Sequence, residues 1–442
     1  MLRTTAAVLA GKAARAASRL RGGGSALPGL VAEKVDPGFL SHALADVPRG
    51  IVVVSGTNGK TTTTKMLVAV LRAHGLVVFT NPTGSNFTRG VISSMLGELP
   101  VSGRLKADMA VLELDEAHAL KFAAAVRPTH ALLLNVARDQ LDRFAEIDHT
   151  AQLLASLAEQ ATTGVVLNID DSFISRIRDK VDDDVAVRYF GVDASIADRL
   201  PEIQEQDVRF DDDFVPPKPG PDDGLLKPGD ERTFEVLFGE PGQDGDGTGQ
   251  NVGPLELQQR GLAAMINATA ATTAARMLLG SRFDAAKAEA ALRAVTPPFG
   301  RGEVVMVDGQ PLELVLVKNP AGFTVALGTY GSTPVSTMIA INDNYADGRD
   351  VSWLYDVSFD SLRERGVAMT SGVRAYDMAL RLQYDDVPVD AIEPDLEKAL
   401  DAFLAGHRDQ PMRIFCTYTA MMSLRRVLAA RYDLPDIGEE AS

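Results

Sequence analysis

Cysteine is nearly absent from this chain: Cys416 is the only one in 442 residues. That excludes a disulfide framework within the chain and any zinc site built from cysteines alone. Long apolar runs are missing too, and none approaches the roughly 18 residues that cross a bilayer. Basic residues are in deficit, 44 Lys and Arg against 60 Asp and Glu, for a formal net charge of −16. Neutralising phosphates needs a basic surface, so no nucleic-acid partner is expected, and the balance fits a soluble cytoplasmic enzyme.

Acids, in turn, are missing from one place. The first 32 residues hold Arg3, Lys12, Arg15, Arg19 and Arg21 and no Asp or Glu. At helical spacing Leu2, Ala6, Leu9, Ala13, Ala16 and Leu20 share one face, with Lys12, Arg15 and Arg19 beside and behind it. Three placements follow, and the sequence leaves them open. The helix docks on its own protein, or it touches an anionic membrane and holds the enzyme peripherally at the inner membrane surface, or it is an Arg-rich transit peptide.

Alternation fills the rest. From Gly50 to about Ile169 the short apolar runs IVVVS, LVVFT, ADMAVLELD, THALLLNV and VVLNID alternate with helical patterns such as KTTTTKMLVAVLRAHG. Such runs between helices predict a parallel sheet covered on both faces, an α/β nucleotide-binding layout. Residues 201–254 are rich in Pro, Gly and Asp and lack periodicity, apart from the strand-like TFEVLF. They read as a flexible acidic insertion that cannot bury enough apolar surface to offset its ordering entropy. Helical pattern returns in RGLAAMINATAATTAARMLLG, and TPPFGRGE then breaks the chain. A second alternating series follows: LELVLVKNP, STMIAIND, VAMTSG, VPVDAI and MRIFCTYTA. The expected organisation is a basic helix and lead-in over 1–49, a nucleotide domain over 50–300, and a smaller Rossmann-like α/β domain over 301–442.

The stretch SGTNGKTTTT joins the first strand to the first helix of that nucleotide domain. Gly56 and Gly59 permit the tight turn and close backbone approach that triphosphate oxygens require, and Lys60 supplies a point charge. The following helix adds N–H groups and a positive dipole end. Thr61 is placed to offer its hydroxyl to Mg²⁺. The general phosphate-loop pattern would put glycine at position 54, where this chain has Val54.

That shortened loop resembles the GTNGKT motif of the Mur ligase superfamily, which joins carboxylates to amines through an acyl phosphate. MAVLELDEA places Glu113 at a strand end, where the family binds Mg²⁺ with a glutamate. LLLNVARDQLDRF resembles the family's Asn-x-x-x-Asp-His-Leu-Asp segment, with Asn135, Asp139 and Asp142 in place and Gln140 where histidine is usual. VLNIDD and FGRGE continue the likeness. Within the superfamily the chain is most similar to the MurT family, the ligase-like subunits of lipid II isoglutaminyl synthase. The carrying residues are KVD at Lys34, ELDE at Glu113, RDQLDRFAEID at Arg138, VKNPAGF at Val317, INDNYADGRDVSWLYD at Ile341 and TYTAM at Thr417. They span nearly the whole chain.

The resemblance implies a two-subunit amidotransferase. This subunit would use ATP and Mg²⁺ to phosphorylate the α-carboxylate of D-glutamate in the lipid II stem peptide, and ammonia would displace phosphate to give D-isoglutamine. A GatD-like glutaminase would supply the ammonia, and the lipid II would be met at the cytoplasmic membrane face. The implied nucleotide-binding residues are Thr57, Asn58, Gly59, Lys60, Thr61, Thr62, Asn267 and Arg301, with Thr61 and Glu113 on Mg²⁺. Asp350 would complete the partner's Cys-His pair. Asp347, before Gly348, reads as a turn residue. Where many MurT-like chains insert four cysteines as a zinc ribbon, this chain has none, so no zinc is expected. Only one of two asparagines usual in RGLAAMINATA is kept, as Asn267.

Elementary chemistry agrees with that division of labour. A carboxylate is a poor electrophile until one oxygen becomes phosphate, and Lys60 with Mg²⁺ would stabilise the crowded charge of the transfer. Cys416, in RIFCTYT, lacks the flanking glycine of a nucleophile turn and reads as a buried strand cysteine, so ammonia is not expected to be made here. About fifty residues precede the phosphate loop, too few for a separate domain that grips a UDP precursor. Two other readings stay open: a stand-alone amino-acid-adding ligase of the folylpolyglutamate synthase kind, and a non-catalytic module that holds nucleotide and partner.

Overall fold

In the strand β1 (Ile51–Ser55) every residue is buried, and alternate side chains enter different cores, Ile51 and Val53 in one, Val52 and Val54 in the other. An unbroken apolar run is stable only where both faces of a sheet are covered. The computed structural model describes residues 2–20, 26–81, 87–137, 147–193, 214–229, 233–239, 251–297, 301–330, 335–407, 409–432 and 434. Asp139, Gln140 and Asp142 of the family-like segment lie outside the described residues.

Around β1 stand β2 (Val78–Thr80), β3 (Met109–Glu113), β4 (His130–Leu133), β5 (Gly164–Asn168) and β6 (Ala186–Val192), followed by β7 (Gly224–Pro228), β8 (Thr233–Leu237) and β9 (Val252–Glu256). They form one sheet in the order β2-β3-β1-β4-β5-β6-β7-β8-β9, parallel through β7 and antiparallel beyond. Helices α1 (Leu2–Leu20), α2 (Ala26–Val35) and α3 (Phe39–Leu44) line one face. So do α5 (Thr88–Glu98), α6 (Glu116–Ala125), α7 (Ile147–Gln160) and α8 (Ser172–Ser175). The other face is covered by α4 (Lys60–Ala73), α9 (Leu262–Leu279) and α10 (Ala285–Ala294). Contrary to the expectation that no segment is long and apolar enough to cross a bilayer, helix α9 is so by length and composition, but its alanines and threonines are buried in that second core.

The stretch read as a flexible insertion is corrected in its described parts. Strands β7 to β9 extend the sheet, burying Leu226, Phe234, Val236, Val252 and Leu255. Taken alone, the segment has too little apolar surface; added to the open edge of β6, its alternate residues share a core that already exists.

Six strands form a second sheet: β10 (Arg301–Val307), β11 (Gln310–Leu316), β12 (Ser336–Ala340), β13 (Val367–Ser371), β14 (Val389–Glu393) and β15 (Met412–Cys416). Their order is β10-β11-β15-β12-β13-β14, with only β10 and β11 antiparallel. Helices α11 (Pro320–Tyr330) and α12 (Ala375–Tyr384) pack on one face, α13 (Leu396–Gly406) and α14 (Tyr418–Ala429) on the other. Two buried ion pairs pin the edge hairpin, Arg413 to Glu313 at 2.6 Å and Arg425 to Glu303 at 3.0 Å. Cys416 is fully buried in β15, and burial raises its thiol far above the usual range. It is a core side chain.

Helix α1 docks on α2, α3 and α5, yet not by the face its hydrophobicity suggests. Thr4, Ala7, Val8, Gly11 and Ser18 are buried, whereas Leu2, Ala6, Leu9, Ala13 and Ala16 are exposed. Close approach decides the matter. A Cβ on Gly11 would come within 2.5 Å of Leu96 on α5, and the Thr4 hydroxyl donates to buried Asp36 at 2.9 Å. On α2, a Cβ on Gly29 would lie 2.1 Å from the Arg89 carbonyl oxygen. Gly29→Ala should therefore cost about 1–3 kcal/mol, as other overpacked sites do. Faster amide exchange confined to α1 and α2 is the expected readout, and unchanged exchange there would contradict this packing.

Candidate active site

The connection from β1 to α4 runs through Gly56, Thr57, Asn58 and Gly59, at the carboxyl end of the sheet where β1 lies between β3 and β4. The crossover after β1 runs to β2 on one side and the crossover after the adjacent β3 runs to β4 on the other, which marks the position at which open α/β sheets bind ligands. Gly59 has φ 86°, and a Cβ on it would fall 2.3 Å from Asn267 Oδ1. That left-handed residue starts α4, so the unpaired N–H groups of the first turn point out of the loop. Gly56, with φ 134°, is close to the Asn135 backbone, where a Cβ would come within 3.0 Å of its N and O.

Asn135, just beyond β4, holds the loop. Its Oδ1 accepts from Asn58 N at 2.8 Å, its Nδ2 donates to Asn58 O at 3.0 Å, and its carbonyl accepts from Thr57 N at 3.0 Å. Thr57 Oγ1 accepts from Ala137 N at 3.1 Å and donates to Ala137 O at 3.3 Å. Asp171, buried at the start of α8, accepts from Val136 N at 2.8 Å and so fixes the segment that fixes the loop.

Lys60 folds over the loop. Its ammonium donates to the carbonyls of Gly56 and Thr57 and lies 3.5 Å from Glu116 Oε1. Beside it, Thr61 Oγ1 donates to Glu113 Oε1 at 2.8 Å. Glu113 is buried, not a solvated strand end, and Asn81 brackets its backbone through bonds of 2.9 and 2.8 Å. Thr62 is fully buried in the first turn, its hydroxyl without a partner among the described residues. Thr57, Asn58, Gly59, Lys60, Thr61, Glu113 and Asn267 are thus brought together. Arg301 opens β10, and its side chain lies outside the described residues.

Two contributors carried no assigned role in the sequence. Asn81 ends the β2 run, and a polar residue closing a buried strand was the available signal. Asn319, buried in the VKNPAGF segment of the second sheet's domain, reaches across so that its Nδ2 lies 3.4 Å from Asn58 Oδ1. Its own Oδ1 accepts from Gly322 N at 2.7 Å at the head of α11.

Asp350 lies elsewhere, in the loop after β12, where β12 adjoins β15. It is half-buried and accepts from Ser352 N at 2.8 Å. Asp347 is more than a turn former. It is buried and accepts from Thr419 N at 2.7 Å at the start of α14, as well as from the Thr419 hydroxyl and Asn344 N. Asn342 and Asn344 donate to the same Thr419 hydroxyl at 3.0 and 2.8 Å. The loop bearing Asp350 is therefore stitched to the TYTAM segment.

The same domain carries exposed aromatic surface on α12. Tyr376, Leu380 and Tyr384, at helical spacing on α12, are 65%, 49% and 70% exposed. Tyr355 meets Tyr384 edge to face at 6.0 Å.

Comparison with known proteins agrees with this geometry. The family profile of the Mur ligase middle domain matches residues 54–217, and that of the MurT ligase C-terminal domain matches residues 316–421. The MurT subunit of the lipid II isoglutaminyl synthase (glutamine-hydrolyzing) of Streptococcus pneumoniae is 31% identical, over 97% of this chain and 98% of its own. The corresponding MurT subunit of Staphylococcus aureus (strain COL) is 30% identical, over 90% and 92%. Among solved structures, the MurF ligase of Thermotoga maritima in complex with ADP superposes with a TM-score of 0.62 at 18% identity, covering 89% of this chain and 82% of that one.

The Asp171 contact has a pH signature. Burial pushes its carboxyl up to about 6, against the N–H groups of Val136, Ile174 and Phe173. The fold then keeps a proton that the unfolded chain, near 3.8, has released, so this group's contribution falls as pH rises from about 4 to about 6. Asp171→Asn keeps a cap oxygen and removes the titration. Relative to the parent, the variant should gain roughly 2–3 kcal/mol across that window in urea unfolding. A constant difference would refute the assignment.

Proposed function

The chain belongs to the MurT family of ligase subunits, and we propose that it amidates the α-carboxylate of D-glutamate in the stem peptide of lipid II, for peptidoglycan synthesis. The observation that carries this reading is the meeting of the Thr61 hydroxyl and the Glu113 carboxylate, 2.8 Å apart, beside Lys60 at the start of α4. Two hard oxygens at one point suit Mg²⁺, and a left-handed glycine before a helix start suits the phosphates of ATP. Thr61 and Glu113 would hold the metal, which when bound neutralises charge on the phosphates. Asn81 orients Glu113, and Asn135 keeps the loop open.

The chemistry then assigns the protein its parts. Lys60 stabilises charge as a γ-phosphoryl group passes to the stem carboxylate, and ammonia attacks the acyl phosphate so formed, expelling phosphate. Asn267 lies against Gly59 at the loop, and the family likeness assigns Arg301, the first residue of β10, to the nucleotide as well. Asn319 brings the second domain to the same loop. With one buried cysteine the chain has no thiolate of its own for glutamine, so the ammonia comes from a GatD-like glutaminase. That partner seats where Asp350 can orient and charge its histidine, and the exposed Tyr376, Leu380 and Tyr384 of the same domain offer it apolar surface. No structural zinc is needed.

Lys60→Ala should lower ATP turnover with lipid II and ammonia by at least about 100-fold. Asp350→Asn should leave ammonia-driven amidation near the parent level while glutamine-driven amidation, with the partner present, drops by up to about 10⁴-fold. A stand-alone amino-acid-adding ligase would show neither glutamine use nor a partner requirement, and a holding module would release no phosphate at all.

A further inference from the structure

The outward face of α1 is apolar and lies between cations. Leu2 is 90% and Leu9 53% exposed, with exposed Ala6, Ala13 and Ala16 on the same side. Arg3 and Lys12 fall at its two margins and make no ion pair among the described residues. Antiparallel to it, α2 turns Leu27, 52% exposed, Lys34 and Val35 outward. The inward face is already used: Thr4 bonds Asp36, and Gly11 packs on Leu96. Docking of α1 on its own protein therefore does not consume its apolar side, as a helix selected only for folding would.

We propose that this face is a docking surface for an anionic lipid bilayer, on which α1 lies flat with Leu2 and Leu9 in the headgroup boundary and Arg3 and Lys12 against lipid phosphates. Charge selects that occupant. In a chain of net charge −16 the first 32 residues contain five cations and no acid, so the acidic body is repelled by an anionic surface unless this patch faces it. The first acid, Glu33, is paired with Arg89 at 2.9 Å. An apolar stripe edged by Lys and Arg is the composition that partitions into a membrane interface. A second copy of the chain would bring the same cations together and is disfavoured.

The test uses the full chain and vesicles free of lipid II, nucleotide and partner protein, so its outcome is independent of the amidation reading. Sedimentation with vesicles of phosphatidylcholine alone, or with one third phosphatidylglycerol, should show at least ~tenfold stronger partitioning onto the anionic vesicles, weakening with salt. Leu2→Glu with Leu9→Glu should lower that partitioning by about tenfold or more, and Arg3→Glu with Lys12→Glu by a similar factor. Leu2, Arg3 and Leu9 are exposed and Lys12 is half-buried at the surface, so thermal unfolding and amidation of detergent-dispersed substrate should be retained, which separates lost binding from lost folding. Equal partitioning on both vesicle types would overturn the proposal. So would indifference to the leucine substitutions, or a dimer in vesicle-free buffer that those substitutions dissolve.

Discussion

One side chain sets the phosphate loop. Asn135 pairs with both the N–H and the carbonyl of Asn58, as a neighbouring strand would, and its own carbonyl takes the N–H of Thr57. Without such pairing a glycine-bounded loop would close on itself, satisfying its polar groups internally. With it, the loop stays extended from β1, and the first-turn N–H groups of α4 and the Lys60 ammonium converge on one region. The precision is inherited: Asp171, capping α8, holds Val136, and Asn168, at the end of the buried parallel strand β5, holds the Leu134 carbonyl at 2.9 Å.

The second sheet's domain reaches the loop through Asn319. Asn319 touches Asn58 at 3.4 Å, and Lys65 donates to Thr296 at 3.0 Å near the break between the sheets. A long hydrogen bond between neutral amides contributes modestly to stability. Its value is positional, because the residue that makes it also orders the head of α11 by accepting from Gly322 N. The phosphate loop is thereby linked to the head of α11 in the second domain.

What was legible in the sequence was local. The run IVVVS, two glycines and Lys60 lie within ten residues, and a buried parallel strand before a helix start permits few arrangements; Glu113 was legible because a strand end aligned with β1 must face the same loop. Less local features were not. The hydrophobic spacing of α1 named a face but not its direction, since Gly11, Ala7 and Thr4 win the interior by size and by a hydrogen bond to Asp36 rather than by apolar area. Strands β7 and β9 were invisible because their burial depends on an edge built by distant residues. Asp347 looked like a turn former, and only the fold reveals that it also anchors α14.

The burial of the lone cysteine has a practical side. Since Cys416 lies within β15 with its thiol driven to high pKa, the native chain presents a chemically silent background to maleimides and other thiol-directed reagents. Any cysteine engineered onto an exposed loop would be the sole reactive handle, so pairs of dyes could report the distance between the two sheets during turnover without first stripping the protein of its own sulfur.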